Sequence, residues 1–272
     1  MAKSPAYLVI GAGKMGGALL QGWLSSGAVK PSELMILDPK PGAAAKAAIK
    51  KGALHLKKPS KKISGAEFVL LGIKPQMFAE LAPPIAKHLP GGALLISILA
   101  GTSLASLEAT FTEQKLIRTM PNTPASIGKG ITAYTCGKGV SEAQKKMTET
   151  LLAAGGPVHH VQTEQMIDMV TAVSGSGPAY IFHLVEALEA AAVKIGLPQE
   201  LATALARQTV IGSAALLDES GLAATELRQN VTSPNGTTQA ALDVLMGSDG
   251  LPKLMRETVQ AALKRAKELG QS

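Results

Sequence analysis

The hexapeptide Gly11-Ala12-Gly13-Lys14-Met15-Gly16 follows the apolar run Tyr7-Leu8-Val9-Ile10 and opens a helical pattern from about Met15 to Ser26. Strand, glycine turn and helix in that order constrain this chain more than any other feature. The first glycine permits the tight turn, and the second lets a pyrophosphate approach the backbone. The third lets helix and strand pack closely, with the helix N-terminus facing the phosphates. Asp38 stands 22 residues beyond Gly16 at the end of the next apolar run, where an acidic residue meets ribose hydroxyls. Gly11, Ala12, Gly13, Lys14, Met15, Gly16 and Asp38 are therefore the expected dinucleotide-binding residues. A carboxylate at 38 favours the free 2′-hydroxyl of NAD over the 2′-phosphate of NADP. Lys40, two residues on, offsets the repulsion, so use of NADH with tolerance of NADPH is expected.

The same alternation continues. Glu33–Leu37 reads as a second strand and Ala43–Lys51 as a helix; Phe68–Ile73 as a strand and Met77–His88 as a helix. Ala93–Ile98 is the next strand, followed by a short helix over Ser103–Thr110, and Lys115–Thr119 and Ile131–Tyr134 are read as the last strands. Strands separated by single helices imply crossovers and a largely parallel sheet. From Glu164 onward only helical periodicity is found: Met166–Val173, Ala179–Ile195, Leu201–Leu217, Ala223–Val231, Thr237–Met246 and Pro252–Leu269. Gly196-Leu197-Pro198 breaks this series, with Pro198 suited to a helix start. The expected fold is thus α/β: a Rossmann-type parallel sheet over residues 1–160, then an all-helical domain over 161–272.

Composition narrows the partners. With 272 residues, 46% of them hydrophobic and 17% charged, the chain buries a core and is not globally disordered. Only 3% of residues are aromatic, which argues against base stacking on single-stranded nucleic acid. The net charge of +7 is concentrated in Lys46, Lys50, Lys51, Lys57, Lys58, Lys61 and Lys62. Without arginine or aromatic residues among them, they read as a solvated face. Cys136 is the single cysteine, so an intrachain disulfide and a thiolate cluster are excluded and a reducing compartment fits. No signal-peptide pattern precedes Tyr7, and Ala93–Ala100, the most apolar stretch, is far short of the ~20 residues of a membrane helix. A soluble, cytoplasmic protein is expected.

Further loops carry chemistry. Gly72-Ile73-Lys74-Pro75 and Leu99-Ala100-Gly101 fall at the carboxyl ends of strands, where open α/β sheets bind ligands, although ordinary strand-to-helix turns look similar. Met120-Pro121-Asn122-Thr123-Pro124-Ala125 is stiff and polar and lies at the same edge. Ser174-Gly175-Ser176-Gly177-Pro178 and Val231-Thr232-Ser233-Pro234-Asn235-Gly236-Thr237-Thr238 each place hydroxyls and free N–H groups at a helix start. That is a receptor for a carboxylate, or simply an N-cap.

Other candidates are weaker. Tyr134 and Lys138 have the YxxxK spacing of another reductase class, but Gly137 and Gly139 oppose the helix that would align them. His159 and His160 point to opposite faces if extended, and no metal site is expected. His183, among apolar helix positions, reads as a packed core residue, and Glu186 and Glu189 as solvent-facing or interfacial.

GAGKMG, GIKPQ, MPNTPA, SGSGPAY and VTSPNGTTQAAL, in this order and spacing, resemble the pyrroline-5-carboxylate reductase family over nearly the whole chain. The resemblance implies reduction of 1-pyrroline-5-carboxylate to L-proline with NADH or NADPH, the final step of proline synthesis. It implies a helical domain that interlocks with its twin to form a homodimer, often built further into a ring of five dimers. Thr238 then corresponds to the hydroxyl that contacts the ring nitrogen, and the backbone of Asn235, Gly236, Thr237 and Thr238 to the carboxylate-binding loop, with Ser233 a further expected substrate-binding residue. Ser176 lies opposite, and Gly72, Ile73, Lys74, Pro75, Ala100 and Gly101 correspond to cofactor contacts; Asn122, in the stiff polar loop after Thr119, is read from its own position as part of a nicotinamide or substrate wall. The chain departs from the family at Asp38, where a neutral or basic residue is frequent, and at Asn235, where a second glycine is common. Pro59 and Ser60 stand where an asparagine is often found.

Two rival readings make different demands. A β-hydroxyacid or 6-phosphogluconate-type dehydrogenase needs a lysine in the first long helix after the dinucleotide domain, yet Ser174–Lys194 contains none before Lys194. A non-catalytic dinucleotide-binding regulator has no need of a second polar receptor. The alanine-rich helices, those over 166–217 especially, carry more apolar positions than one small domain requires, as a dimer seam would.

Overall fold

The computed structural model describes residues 5–271. Eight strands form one sheet: β1 (Tyr7–Ile10), β2 (Leu34–Leu37), β3 (Leu54–Leu56), β4 (Phe68–Leu71), β5 (Leu94–Ser97), β6 (Lys115–Met120), β7 (Thr132–Cys136) and β8 (Val158–His160). Their order across the sheet is β3-β2-β1-β4-β5-β6-β7-β8. The first six run parallel, as crossover connections require; α1 (Lys14–Ser26), α2 (Ala43–Lys50), α3 (Phe78–Ala86) and α4 (Leu104–Thr110) lie between them. A 3₁₀ turn over Thr123–Ile127, with no crossover helix, joins β6 to β7, and that pair is antiparallel. α5 (Glu142–Leu152) then returns the chain to β8, parallel to β7.

Side chains of the central strands alternate between two cores. Leu8, Ile10, Val69, Leu71 and Leu95 pack on one face with Ile85 and Phe111. Val9, Ile36, Leu70, Leu94 and Ile96 pack on the other with Leu19, Leu20, Trp23 and Leu152. A sheet buried on both faces needs continuous apolar strands, and β2, β4 and β5 are such runs.

Three elements differ from the sequence expectation, which ended the strands at Tyr134 and contained neither β3 nor α5. β3 is three residues long, and its pairing with β2, not its own hydrophobicity, makes it a strand. β8 includes His159 and His160, both exposed, and is an edge strand held by pairing with β7. α5 is mostly polar, but it begins with a capping box in which Ser141 and Gln144 satisfy each other's backbone N–H groups.

After His160 come α6 (Glu164–Val170), a π-helical turn over Thr171–Gly175, α7 (Gly177–Lys194), α8 (Gln199–Ser220), α9 (Ala224–Asn230), α10 (Thr237–Leu245) and α11 (Leu251–Gln271). Compact units divide later than the change from strand to helix. The first unit runs through Ser176 and regains the chain from Ala262 onward, and the second is Gly177–Ala261. α6 stays with the sheet because Ile167 is fully buried there and Arg118 of β6 binds Glu164 and Asp168. Within the second unit α7 and α8 pack against each other. His183 on α7 is not a core residue of this chain: it is exposed, with Nδ1 3.0 Å from Glu186 Oε2. The helix around it has no buried residue.

Candidate functional site

The glycine turn after β1 meets the turn after β4, its neighbour in the sheet. Gly11 has φ +80°, and a Cβ there would lie 2.7 Å from the Gly72 carbonyl oxygen. Any other residue would part the two loops. Connections depart on opposite sides of β1 and β4, which makes this the switch point where open α/β sheets hold ligands. A Cβ on Gly16 would press on the Gly11 carbonyl, whereas one on Gly13 would meet nothing within 4 Å. Gly13 is also the N-cap of α1 and supplies no side-chain cap. The first-turn N–H groups of α1 thus border open space beside a residue without a side chain, which fits the pyrophosphate of a dinucleotide.

Asp38, at the end of β2, is bound into this turn. Its Oδ2 accepts the Ala12 N–H at 2.8 Å and its Oδ1 the Lys40 N–H at 2.7 Å. His55 Nε2 lies 2.9 Å from the Asp38 carbonyl oxygen. Each carboxylate oxygen keeps a further lone pair, so the group is positioned by the backbone and still able to accept ribose hydroxyls. Lys74 and Ala100 are exposed beside this edge, and Pro75 starts a 3₁₀ turn after β4. Gly101 lets the end of α11 approach: a Cβ there would lie 2.7 Å from Leu269 Cβ.

Asn122 follows β6, and its Oδ1 accepts the Ile131 N–H at 2.9 Å, closing the loop between β6 and β7. Ser176 follows the π turn and donates its N–H to the Thr171 carbonyl at 2.8 Å. One-turn π segments inside helices are frequent at functional sites. All these residues belong to the first unit.

In the second unit, Ser233, Pro234 and Asn235 form a turn closed by the Gly236 N–H donating to the Ser233 carbonyl at 3.0 Å. Asn235 has φ +60°, the single non-glycine residue with positive φ among those described. Asparagine tolerates this region better than most side chains, which explains how it stands where the resemblance leads one to expect glycine. Gly236 then caps α10 without a side-chain hydrogen bond, leaving the first-turn N–H groups for a ligand. Thr237 is exposed and Thr238 half-buried at this helix start. The arrangement offers an anion receptor and a hydroxyl side by side.

Sequence reasoning missed the buried arginine on β6. Arg118 donates to Glu164 and Asp168, and the only signal was a charge in the middle of a strand, between Ile117 and Thr119, plus two carboxylates one turn apart. Tyr134, the first residue of the YxxxK spacing, lies in β7 and not on a helix. Its hydroxyl donates to Glu149 at 2.6 Å, and burial, followed by that bond, holds its pKa well above the usual tyrosine value.

Residues 164–269 match the family model for pyrroline-5-carboxylate reductase dimerisation, and residues 7–101 match one described as NADP oxidoreductase, coenzyme F420-dependent. A pyrroline-5-carboxylate reductase of Pseudomonas aeruginosa is 36% identical over 269 residues, covering 98% of each chain. The chain belongs to the pyrroline-5-carboxylate reductase family. Among solved structures, a family member from Coxiella burnetii superposes with a TM-score of 0.89 at 32% identity, over 99% of this chain and 100% of that one. A Plasmodium falciparum pyrroline carboxylate reductase, solved with NADP bound, superposes with a TM-score of 0.82 at 27% identity, over 99% and 100% of the two chains. These likenesses span both halves, so the β-hydroxyacid-type and non-catalytic readings lose their ground.

Proposed function

We propose that this chain reduces 1-pyrroline-5-carboxylate to L-proline with NADH or NADPH, the last step of proline biosynthesis. The observation that carries the reading is the start of α10. Its uncapped N–H groups adjoin the Thr238 hydroxyl, in a chain that also holds a complete glycine cradle for a dinucleotide. Residues 1–160 form the dinucleotide-binding domain on this reading, and residues 161–272 the substrate-binding and dimerisation domain.

The substrate is a cyclic imine with a carboxylate. When bound, the nicotinamide would supply a hydride for the imine carbon of the protonated ring, the carbon that becomes C5 of the proline formed. Gly11, Ala12, Gly13, Lys14, Met15 and Gly16 hold the pyrophosphate, Asp38 the ribose, and Gly72, Ile73, Lys74, Pro75, Ala100 and Gly101 the remaining cofactor edge. The N–H groups of the Ser233–Thr237 turn, with Ser176 and Asn122, bind and orient the substrate. Thr238 hydrogen-bonds the ring nitrogen and stabilises the amine as it forms. An iminium is already electrophilic, so the site needs orientation and exclusion of water more than a strong acid.

The protein works as a cytoplasmic homodimer joined through the helical domain, assembled further into a ring of five dimers, with no nucleic acid or membrane as partner. The match of 164–269 to the dimerisation model supports the pairing. No helix among the described residues is long and apolar enough to cross a membrane. The test is loss of 340 nm absorbance on mixing the imine with NADH or NADPH. Thr238→Val is expected to lower turnover by roughly 10- to 1000-fold. Unchanged turnover and KM in that variant would remove Thr238 from catalysis, and no oxidation of either cofactor would remove the activity itself.

A further inference from the structure

Arg118 stands in the middle of β6 with 3% of its side chain exposed. Its Nη1 donates to Glu164 Oε1 at 2.8 Å and its Nη2 to Asp168 Oδ1 at 2.7 Å. The two carboxylates lie four residues apart, so they share one face of α6. Glu164 Oε1 also accepts the Leu104 N–H at 2.6 Å, from the first turn of α4. Among the described residues Arg118 Nε has no hydrogen-bond partner, and the two carboxylates hold the guanidinium through Nη1 and Nη2.

The three segments gathered here share one property. α4 begins three residues after Gly101, β6 runs into Asn122, and α6 runs through the π turn into Ser176. That last connection is stiff: the Thr171 hydroxyl donates to the Ile167 carbonyl at 2.8 Å, and the Ser176 N–H to the Thr171 carbonyl at 2.8 Å. A buried ion pair is a weak source of stability compared with apolar residues of equal volume, whereas it fixes relative position sharply. Its placement between segments that each end in a candidate ligand residue points to position as its use.

We propose that Arg118, Glu164 and Asp168 are positioning residues for the reduction. Glu164 sets the cofactor-side loop at Ala100–Gly101 through Leu104, and Asp168 sets the π turn that carries Ser176. The inference rests on the reading above of Ala100–Gly101 as a cofactor loop and Ser176 as a substrate residue.

The two carboxylates therefore have separable effects, which a purely structural ion pair lacks. In Glu164→Ala the dissociation constant of NADH, read by fluorescence titration, is expected to rise by roughly three- to tenfold. Glu164→Gln, which restores an acceptor for the Leu104 N–H, is expected to return it to within about twofold of the parent. In Asp168→Ala the imine KM is expected to rise and kcat to fall, again by roughly three- to tenfold, with NADH binding unchanged. If both alanine variants weaken NADH binding and imine KM in equal proportion, or only lower the melting temperature, the proposal fails. Ser176→Ala separates the two layers of the argument. An unchanged imine KM there overturns the reading of Ser176, while the NADH measurements on Glu164 still decide the clamp. A raised imine KM in Ser176→Ala with none in Asp168→Ala overturns the positioning role of Asp168.

Discussion

In the first unit Leu20, Ile36 and Leu70 are at most 1% exposed, while in the second Phe182, Ile195 and Val244 are 62, 82 and 76% exposed. Both regions are rich in apolar residues, so composition does not separate them. The difference is geometric. Eight strands with helices on both faces give the apolar side chains of the central strands an opposing layer within the chain. α7, α9 and α10 have no buried residue, and α8 buries only Ala202 and Ala206. Exposed apolar surface on that scale marks an interaction site, and on the reading proposed here a second copy of the chain covers it. On that reading the first unit holds its cofactor cradle within one chain, whereas the second is completed by its partner.

The sharpest attempt to break that contrast is Phe182→Glu. A charge in the proposed seam should yield monomers by light scattering and abolish imine reduction, with NADH binding retained because the cradle lies in the first unit. A fully active dimer would show that the exposed helix faces are not the seam. Leu20→Ala probes the other side of the comparison. Its destabilisation should be about 2–5 kcal/mol, as for other large-to-small core changes, and independent of protein concentration. A concentration-dependent loss would mean that the first unit, too, depends on a partner.

Smaller effects refine the two sites. Asp38→Asn removes the charge that repels a 2′-phosphate and should shift the ratio of kcat/KM for NADPH over NADH upward by roughly tenfold, about 1.4 kcal/mol. An unchanged ratio would mean that Asp38 serves only to bind the Ala12 and Lys40 N–H groups. Asn235→Gly should change stability least, by about 1 kcal/mol or less, because glycine adopts φ +60° freely. Asn235→Val, in contrast, must strain the turn, and equal melting temperatures for the two variants would show that the loop relaxes out of the left-handed region.

The cradle was legible in the sequence because its chemistry is local. A turn with positive φ at Gly11, a helix start at Gly13 and a carboxylate at the next strand end all follow from neighbours along the chain. The Ser233–Thr238 turn was legible for the same reason, its glycine and its hydroxyls standing within a few residues of a helix start. β3, α5 and β8 were not, since two are short strands created by pairing and one is a polar helix begun by a capping box. His183 was misread because a residue flanked by apolar neighbours is buried only if something packs on that face, and none of the described residues covers it.

By itself, then, the sequence determined the α/β half, the helical half and the loops that join strands to helices, since periodicity and turn chemistry act over short separations. The tertiary structure alone decided that β7 reverses direction, that Asp38 folds back onto Ala12, and that Arg118 gathers Glu164 and Asp168 from 46 and 50 residues away. Those facts depend on which distant segments meet. No local pattern encodes a meeting whose free energy comes from burying both partners at once.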